Sequence, residues 1–153
     1  MLHPLSLVIT ALVLLPNLLF IWKKPVNVPA VPVREPVVLV IPERLGQFGC
    51  FLIPLFYGIT ISSTWEILAA AGMGMALAVY YAGWGRYLRQ CNQHRLLFSP
   101  LWHIPVPMAV APVLYFLLSA VILHAWTMAL AALVLGAGHI PITLLQYRCI
   151  QAK

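Results

Sequence analysis

The sequence predicts an all-α integral membrane protein: a five-transmembrane-helix bundle in one domain over residues 1–153, with the N-terminus outside and the C-terminus cytoplasmic. Three observations carry that expectation. Only 8% of the residues are charged and 63% are hydrophobic, whereas soluble domains carry about 25% charged residues to keep their surfaces in water. The apolar residues gather into runs about as long as a bilayer is thick. The nine Lys and Arg residues fall in alternate connections between those runs, so five crossings put every one of them on the cytoplasmic side.

Span one covers 3–22, twenty residues without a formal charge, or ~30 Å as a helix, the thickness of the hydrocarbon core. A cleaved signal peptide carries basic residues ahead of its apolar stretch. Here Lys23 and Lys24 follow the stretch, so it is read as a retained helix. Residues 23–44 are read as a proline-rich cytoplasmic strap. Pro25, Pro29, Pro32 and Pro36 recur too closely for a regular helix and favour an extended, polyproline-like path. Within the strap, 36–42 is too short to cross, and is expected on the membrane surface or against the bundle.

Span two is placed at 45–62, with Pro54 inside it. The reversal at 63–65 offers Ser63 or Thr64 as a helix cap, with Glu66 in the following first turn, where its charge complements the helix dipole. Span three is placed at 66–83. Its Ala70, Gly74, Ala78 and Ala82, spaced by four, predict a stripe against which a neighbouring helix packs closely; Ala132 and Gly136 predict similar packing in span five. The polar segment 86–95 follows. Span four is placed at 100–123 and contains Pro105, Pro107 and Pro112. A turn at 124–126 leads to span five at 127–147. Trp22, Trp65, Trp84, Trp102 and Trp126 all fall near span ends and are read as interface anchors.

Several function classes find little material. Asp is absent, and Glu35, Glu43 and Glu66 are the only acids; none is read as mid-membrane, and Glu43 is expected to pair locally with Arg44. A carboxylate relay is therefore poorly supplied, and there is no G-x-S-x-G for a hydrolase. Cys50, Cys91 and Cys149 lack metal or redox spacing. No metal or cofactor is expected, haem included, because His103 and His139 lie at different depths. The net charge of +6 and pI near 9.6 are assigned to topology, with no nucleic-acid partner, because no basic face or binding signature accompanies them.

His139 is the leading candidate. It lies ~18 Å along span five, and ionisable groups at such depth face the bundle interior and mark sites. A hairpin turning near residue 125 brings it level with Ala111 and Pro112. Each proline in span four frees a carbonyl that lipid cannot satisfy. These features together predict a non-enzymatic membrane protein that binds or passes a small, largely apolar ligand between spans three, four and five. The pocket is expected to be lined by His139, Pro105, Pro107, Pro112, Tyr81 and Tyr115. The plainer alternative is a neutral His139 bonded to a carbonyl released by Pro112.

Two other functions stay open. One is an accessory or assembly subunit that pairs with itself or with another membrane protein, which an exposed small-residue stripe would mark. The other is a membrane enzyme acting on lipid or quinone, with His139 or His103 as acid–base and a second catalytic group still to be found. In length and span count the chain is similar to the tryptophan-rich sensory proteins, which bind porphyrins and sterols. Their Trp- and Pro-rich motifs do not map onto it, so the likeness implies no residue roles.

Overall fold

The computed structural model describes residues 2–29, 33–101 and 104–151. Among these the protein is helical, with no β-strand and five α-helices: α1 (Leu7–Trp22), α2 (Val37–Leu52), α3 (Thr64–Arg89), α4 (Pro107–Ile122) and α5 (Trp126–Gln151). Short 3-10 turns precede α1 (Pro4–Ser6), extend α2 (Ile53–Phe56) and interrupt the α3–α4 connection (His94–Leu97). Four segments are long and apolar enough to cross a membrane: Pro4–Trp22, Val37–Phe56, Thr64–Arg89 and Trp126–Gln151. The fifth helix, α4, is apolar but has 16 residues, or ~24 Å.

Local chemistry explains most of the boundaries. Ser63 caps α3, accepting from the Glu66 N–H while the Glu66 carboxylate accepts from the Ser63 N–H, a reciprocal box that satisfies two orphan donors. Pro107 opens α4 at its first position, where a missing N–H costs nothing. The α4–α5 turn is a Schellman closure: Ala125 N–H reaches the Ala120 carbonyl and His124 N–H the Val121 carbonyl. His124 occupies the left-handed position usually given to glycine, with φ of 50°. Its ring is tied to Glu66 Oε1 at 2.9 Å, which joins this turn to the start of α3.

Span two is displaced from its expected place. The helix starts at Val37, not 45, so residues 37–42 form its first turns rather than a separate surface segment. Pro42 sits inside it, and a proline there removes a single donor near the N-terminus. The helix ends early because Pro54 lacks the N–H that would bond the Cys50 carbonyl; a 3-10 turn and an extended Tyr57 follow. Span four also starts later, at Pro107; ahead of it Leu101 and Ile104 exchange backbone bonds. Trp102 and His103 lie outside the described residues.

The helices alternate in direction. Gly46 lies against Leu135, Gly49 against Ala131, and Gly138 against Glu43 and Leu39, so α2 and α5 run antiparallel. Gly72 meets Leu118 and Gly83 meets Met108, which sets α3 antiparallel to α4. Helix α1 starts beside the end of α2, where His3 N–H bonds the Leu55 carbonyl at 2.7 Å. It finishes beside the end of α3, where the Tyr87 hydroxyl bonds the Lys23 carbonyl at 2.6 Å.

The small-residue stripe does not face inward. Gly74, Ala78 and Ala82 are exposed and Ala70 half-buried, and a Cβ added at Gly74 meets nothing. The inward face of α3 is instead Ala69, Met73, Ala76, Tyr80, Trp84 and Tyr87. Burying three aromatic rings outweighs burying three small residues, so the helix is rotated by about one residue, or ~100°. Trp84 is therefore core rather than an end anchor, packed edge-on against Phe20, Tyr80 and Tyr87. Trp22, Trp65 and Trp126 remain exposed at helix ends.

The tightest crossing is between α2 and α5. A Cβ on Gly138 would sit 2.5 Å from Glu43 N and from Leu39 O, and one on Gly46 would sit 2.2 Å from Leu135 N. These are backbone atoms and cannot swing aside. Gly138→Ala and Gly46→Ala are each expected to lower stability by about 1–3 kcal/mol, while Gly74→Ala changes it by less than about 0.5 kcal/mol. Thermal unfolding in mild detergent checks this, and equal melting temperatures for all three variants would contradict it.

Candidate functional site: a cavity at the His139–Glu43 pair

Two prolines leave carbonyls that side chains of other helices fill. Pro16 removes the donor for the Leu12 carbonyl, and the Tyr81 hydroxyl of α3 donates to it at 2.8 Å. Pro54 does the same to the Cys50 carbonyl, which accepts from the Thr10 hydroxyl of α1 at 3.2 Å. With Ser6 to the Tyr57 carbonyl and Tyr80 to Asn17, these bonds fasten α1 along its length. Between α1 and the other four helices lies a cavity of about 300 Å³.

The cavity is mainly apolar, with Val13, Phe20, Phe51, Met108, Phe116 and Leu135 among its walls. Its polar side chains are Asn17, Gln47, Tyr80, His139 and Thr143, with the Trp84 indole beside them. The Trp84 N–H is buried and meets no acceptor in hydrogen-bonding geometry among the described residues. At the end that carries the basic connections, Leu97 and Phe98 close the space. Arg86 holds that closing loop, donating to the carbonyls of Pro100 at 2.6 Å, Ser99 at 2.8 Å and Leu96 at 3.1 Å. In the same loop His94 packs on Phe98, and burial pushes its imidazole below the usual range.

His139 does not bond a freed carbonyl. Its Nδ1 lies 2.6 Å from Glu43 Oε1, so the ring donates from Nδ1 to a carboxylate on α2. Nε2 is then the ring nitrogen left for another partner, as an acceptor in the neutral ring and a donor in the protonated one. The pair is largely shielded, with 14% of the Glu43 side chain and 34% of the His139 side chain exposed. The Thr143 hydroxyl donates back to the His139 carbonyl at 2.7 Å. Glu43 thus reaches across to α5 rather than pairing with Arg44, whose Nη1 reaches Gln47 Oε1 at 3.5 Å. Glu43 shares one helix face with Leu39, Gly46 and Cys50, the face that packs on α5.

Of the six residues expected to line a pocket, His139 and Pro112 do so together. Tyr81 lies on a separate groove between α1 and α3. Tyr115 is buried at 3% exposure in the core, against Phe116. Pro107 is buried at the start of α4, and Pro105 is exposed ahead of it. What the sequence reading misses is Glu43; Asn17, Gln47 and Tyr80 it offers as polar residues that could line a pocket, and they do line this one. Spacing from the true start of α2 exposes Glu43, since Leu39, Glu43, Gly46 and Cys50 follow a 4-3-4 step. No cluster of three or more His, Cys, Asp or Glu able to hold a metal occurs among the described residues. Family models, curated proteins and solved structures yield no match to this chain.

The pair joins α2 to α5, so its loss is felt in stability. Glu43→Gln and His139→Ala are each expected to cost about 1–2 kcal/mol, and the double variant less than their sum by about 1 kcal/mol. Additive costs in a thermal or denaturant double-mutant cycle would show that the two side chains do not interact.

Proposed function

We propose that this chain is a five-span protein of the cell membrane, with its N-terminus outside and C-terminus cytoplasmic, and that it binds or passes a small, largely apolar ligand at the His139–Glu43 pair. Support for five crossings comes from the alternation of the helices. One end gathers residue 3, the 57–63 loop and the 123–125 turn through His3–Leu55, Thr60–Ile122 and Glu66–His124 bonds. The other end gathers the strap and the α3–α4 connection, where Val26 exchanges backbone bonds with Asn92 and His94. Among the described residues, the cations lie toward the second end: Lys23, Lys24 and Arg34 in the strap, Arg44 in the first half of α2, Arg86 and Arg89 at the end of α3, Arg95 after it, and Arg148 near the end of α5. That asymmetry orients it toward the cytoplasm. The apolar helix α4 is short of the ~30 Å hydrocarbon core.

The observation that carries the ligand reading is an apolar cavity lined by His139, whose Nδ1 is held from behind by Glu43 and whose Nε2 is left for another partner. Pockets of this kind bury an apolar body and fix its orientation through a few polar groups. A ligand with a single hydroxyl or carbonyl matches that lining. A second reading, an enzyme acting on lipid or quinone, gains from the same pair. Glu43 supplies the second group that His139 needs to serve as acid–base, by holding one ring nitrogen and so fixing the tautomer and orientation of the other.

Two outcomes are expected. Reporter fusions after Trp65 and after Gln151 should report opposite compartments, the first outside and the second cytoplasmic; the same compartment for both would remove the five-span topology. Protein purified in mild detergent without added ligand should yield, on solvent extraction and mass spectrometry, a small molecule that falls about tenfold in His139→Ala. Equal recovery from both proteins would defeat the ligand reading, and recovery of a chemically altered form only from the wild type would favour the enzyme.

A further inference from the structure

On the outer side of the bundle, between α1 and α3, runs a second space of about 690 Å³, open along its length. Its walls are Leu15, Leu18, Ile21 and Trp22 from α1 with Trp84 and Leu88 from α3, and Gly85 forms its floor. Polar groups do not reach into it. The Tyr81 hydroxyl is committed to the Leu12 carbonyl, and the Trp84 N–H is buried. From Leu15 to Trp22 it runs ~10 Å along the helix axis. A groove of that shape and chemistry suits the upper part of one acyl chain.

The groove ends at a cluster of cations. Lys23 and Lys24 directly follow Trp22, and Arg89 directly follows Leu88. The bond from the Tyr87 hydroxyl to the Lys23 carbonyl, at 2.6 Å, holds these two chain segments at one level. All three side chains belong to exposed residues, and none forms an ion pair among the described residues. The acids are occupied elsewhere: Glu43 with His139, Glu66 with His124, and Glu35 with Gln146 of α5. Two nearby cations are engaged with the α3–α4 connection, Arg86 through the Ser99 carbonyl and Arg95 through Gln93 Oε1. An oily groove thus runs into three unpaired positive charges at the depth where headgroups sit.

We propose that this groove is a binding site for an anionic phospholipid, with one acyl chain between α1 and α3 and the phosphate against Lys23, Lys24 and Arg89. Basic clusters at the cytoplasmic ends of membrane helices recognise such headgroups. The apolar channel adds chain contacts that a diffuse surface attraction lacks. The site rests on insertion in a bilayer but not on the ligand cavity, and the reporter fusions test insertion independently.

The charges and the groove separate experimentally. A Cβ added at Gly85 meets nothing within 4 Å, so Gly85→Leu fills the groove without touching a cation. Lys23→Gln/Lys24→Gln/Arg89→Gln removes the charges and leaves the groove open. Full-length protein in mild non-ionic detergent is titrated with phosphatidylglycerol or with phosphatidylcholine of the same chains, and read by native mass spectrometry and melting temperature. The wild type is expected to prefer phosphatidylglycerol about tenfold. The triple variant should keep less than about twofold preference, and Gly85→Leu should weaken both lipids at least fivefold while Gly85→Ala does not. Equal binding of the two lipids by the wild type would overturn the proposal. So would a preference that survives in both variants, or an equal thermal shift from water-soluble glycerol phosphate.

Discussion

Prolines interrupt four of the five helices, at Pro16, Pro42, Pro112 and Pro141, and α3 alone has none. A proline in a helix strips a carbonyl of its donor, and hydrocarbon offers no water to replace it. The arrangement of α1 follows from this constraint. The carbonyl released by Pro16 is met by Tyr81 and the one released by Pro54 by Thr10, so each break becomes a fastening between helices. Helix α3, unbroken and 26 residues long, supplies three tyrosine hydroxyls to α1 or the residue just beyond it. Helix α1 is therefore fastened by hydrogen bonds along its length, besides burying Ile9 and Val13 in the core. The α2–α5 pair is held by contrast through backbone contact at glycines.

These two modes of attachment account for where the cavity lies. Glycine contact brings α2 and α5 so close that Glu43 and His139 must meet across the crossing. Polar attachment keeps α1 at a greater distance, and the space left inside is bounded by Asn17 and Phe20 on one side and His139 on the other. The site thus contains the one carboxylate–imidazole contact that joins two helix interiors among the described residues. The other such contact, Glu66–His124, belongs to the loops at the opposite end, where it caps α3 and stabilises a strained turn residue.

Much of the fold could be read from the residues. Runs of uncharged sequence gave the number and order of the helices, and Ser63 with Glu66 marked the start of α3. What escaped reading has physical causes. Pro42 resembled a boundary because proline usually ends a helix, yet in the first turns of α2 the loss of one donor is tolerated. Misplacing that start put Glu43 in a loop and hid its partner, which lies 96 residues away in sequence. The stripe on α3 was real in its spacing, but its direction depended on aromatic burial, which spacing alone cannot rank. Tyr81 and Tyr115 were sensible as polar lining. Their places followed from which neighbour needed a donor and which ring filled the core.

Trp84 stands on the boundary of both hollows, its indole forming part of the inner cavity and part of the outer groove. A single flat ring is thus a party wall between the bundle's interior and the annulus of lipid. Under the two proposals, a lipid in the groove and a ligand in the cavity would touch the same side chain.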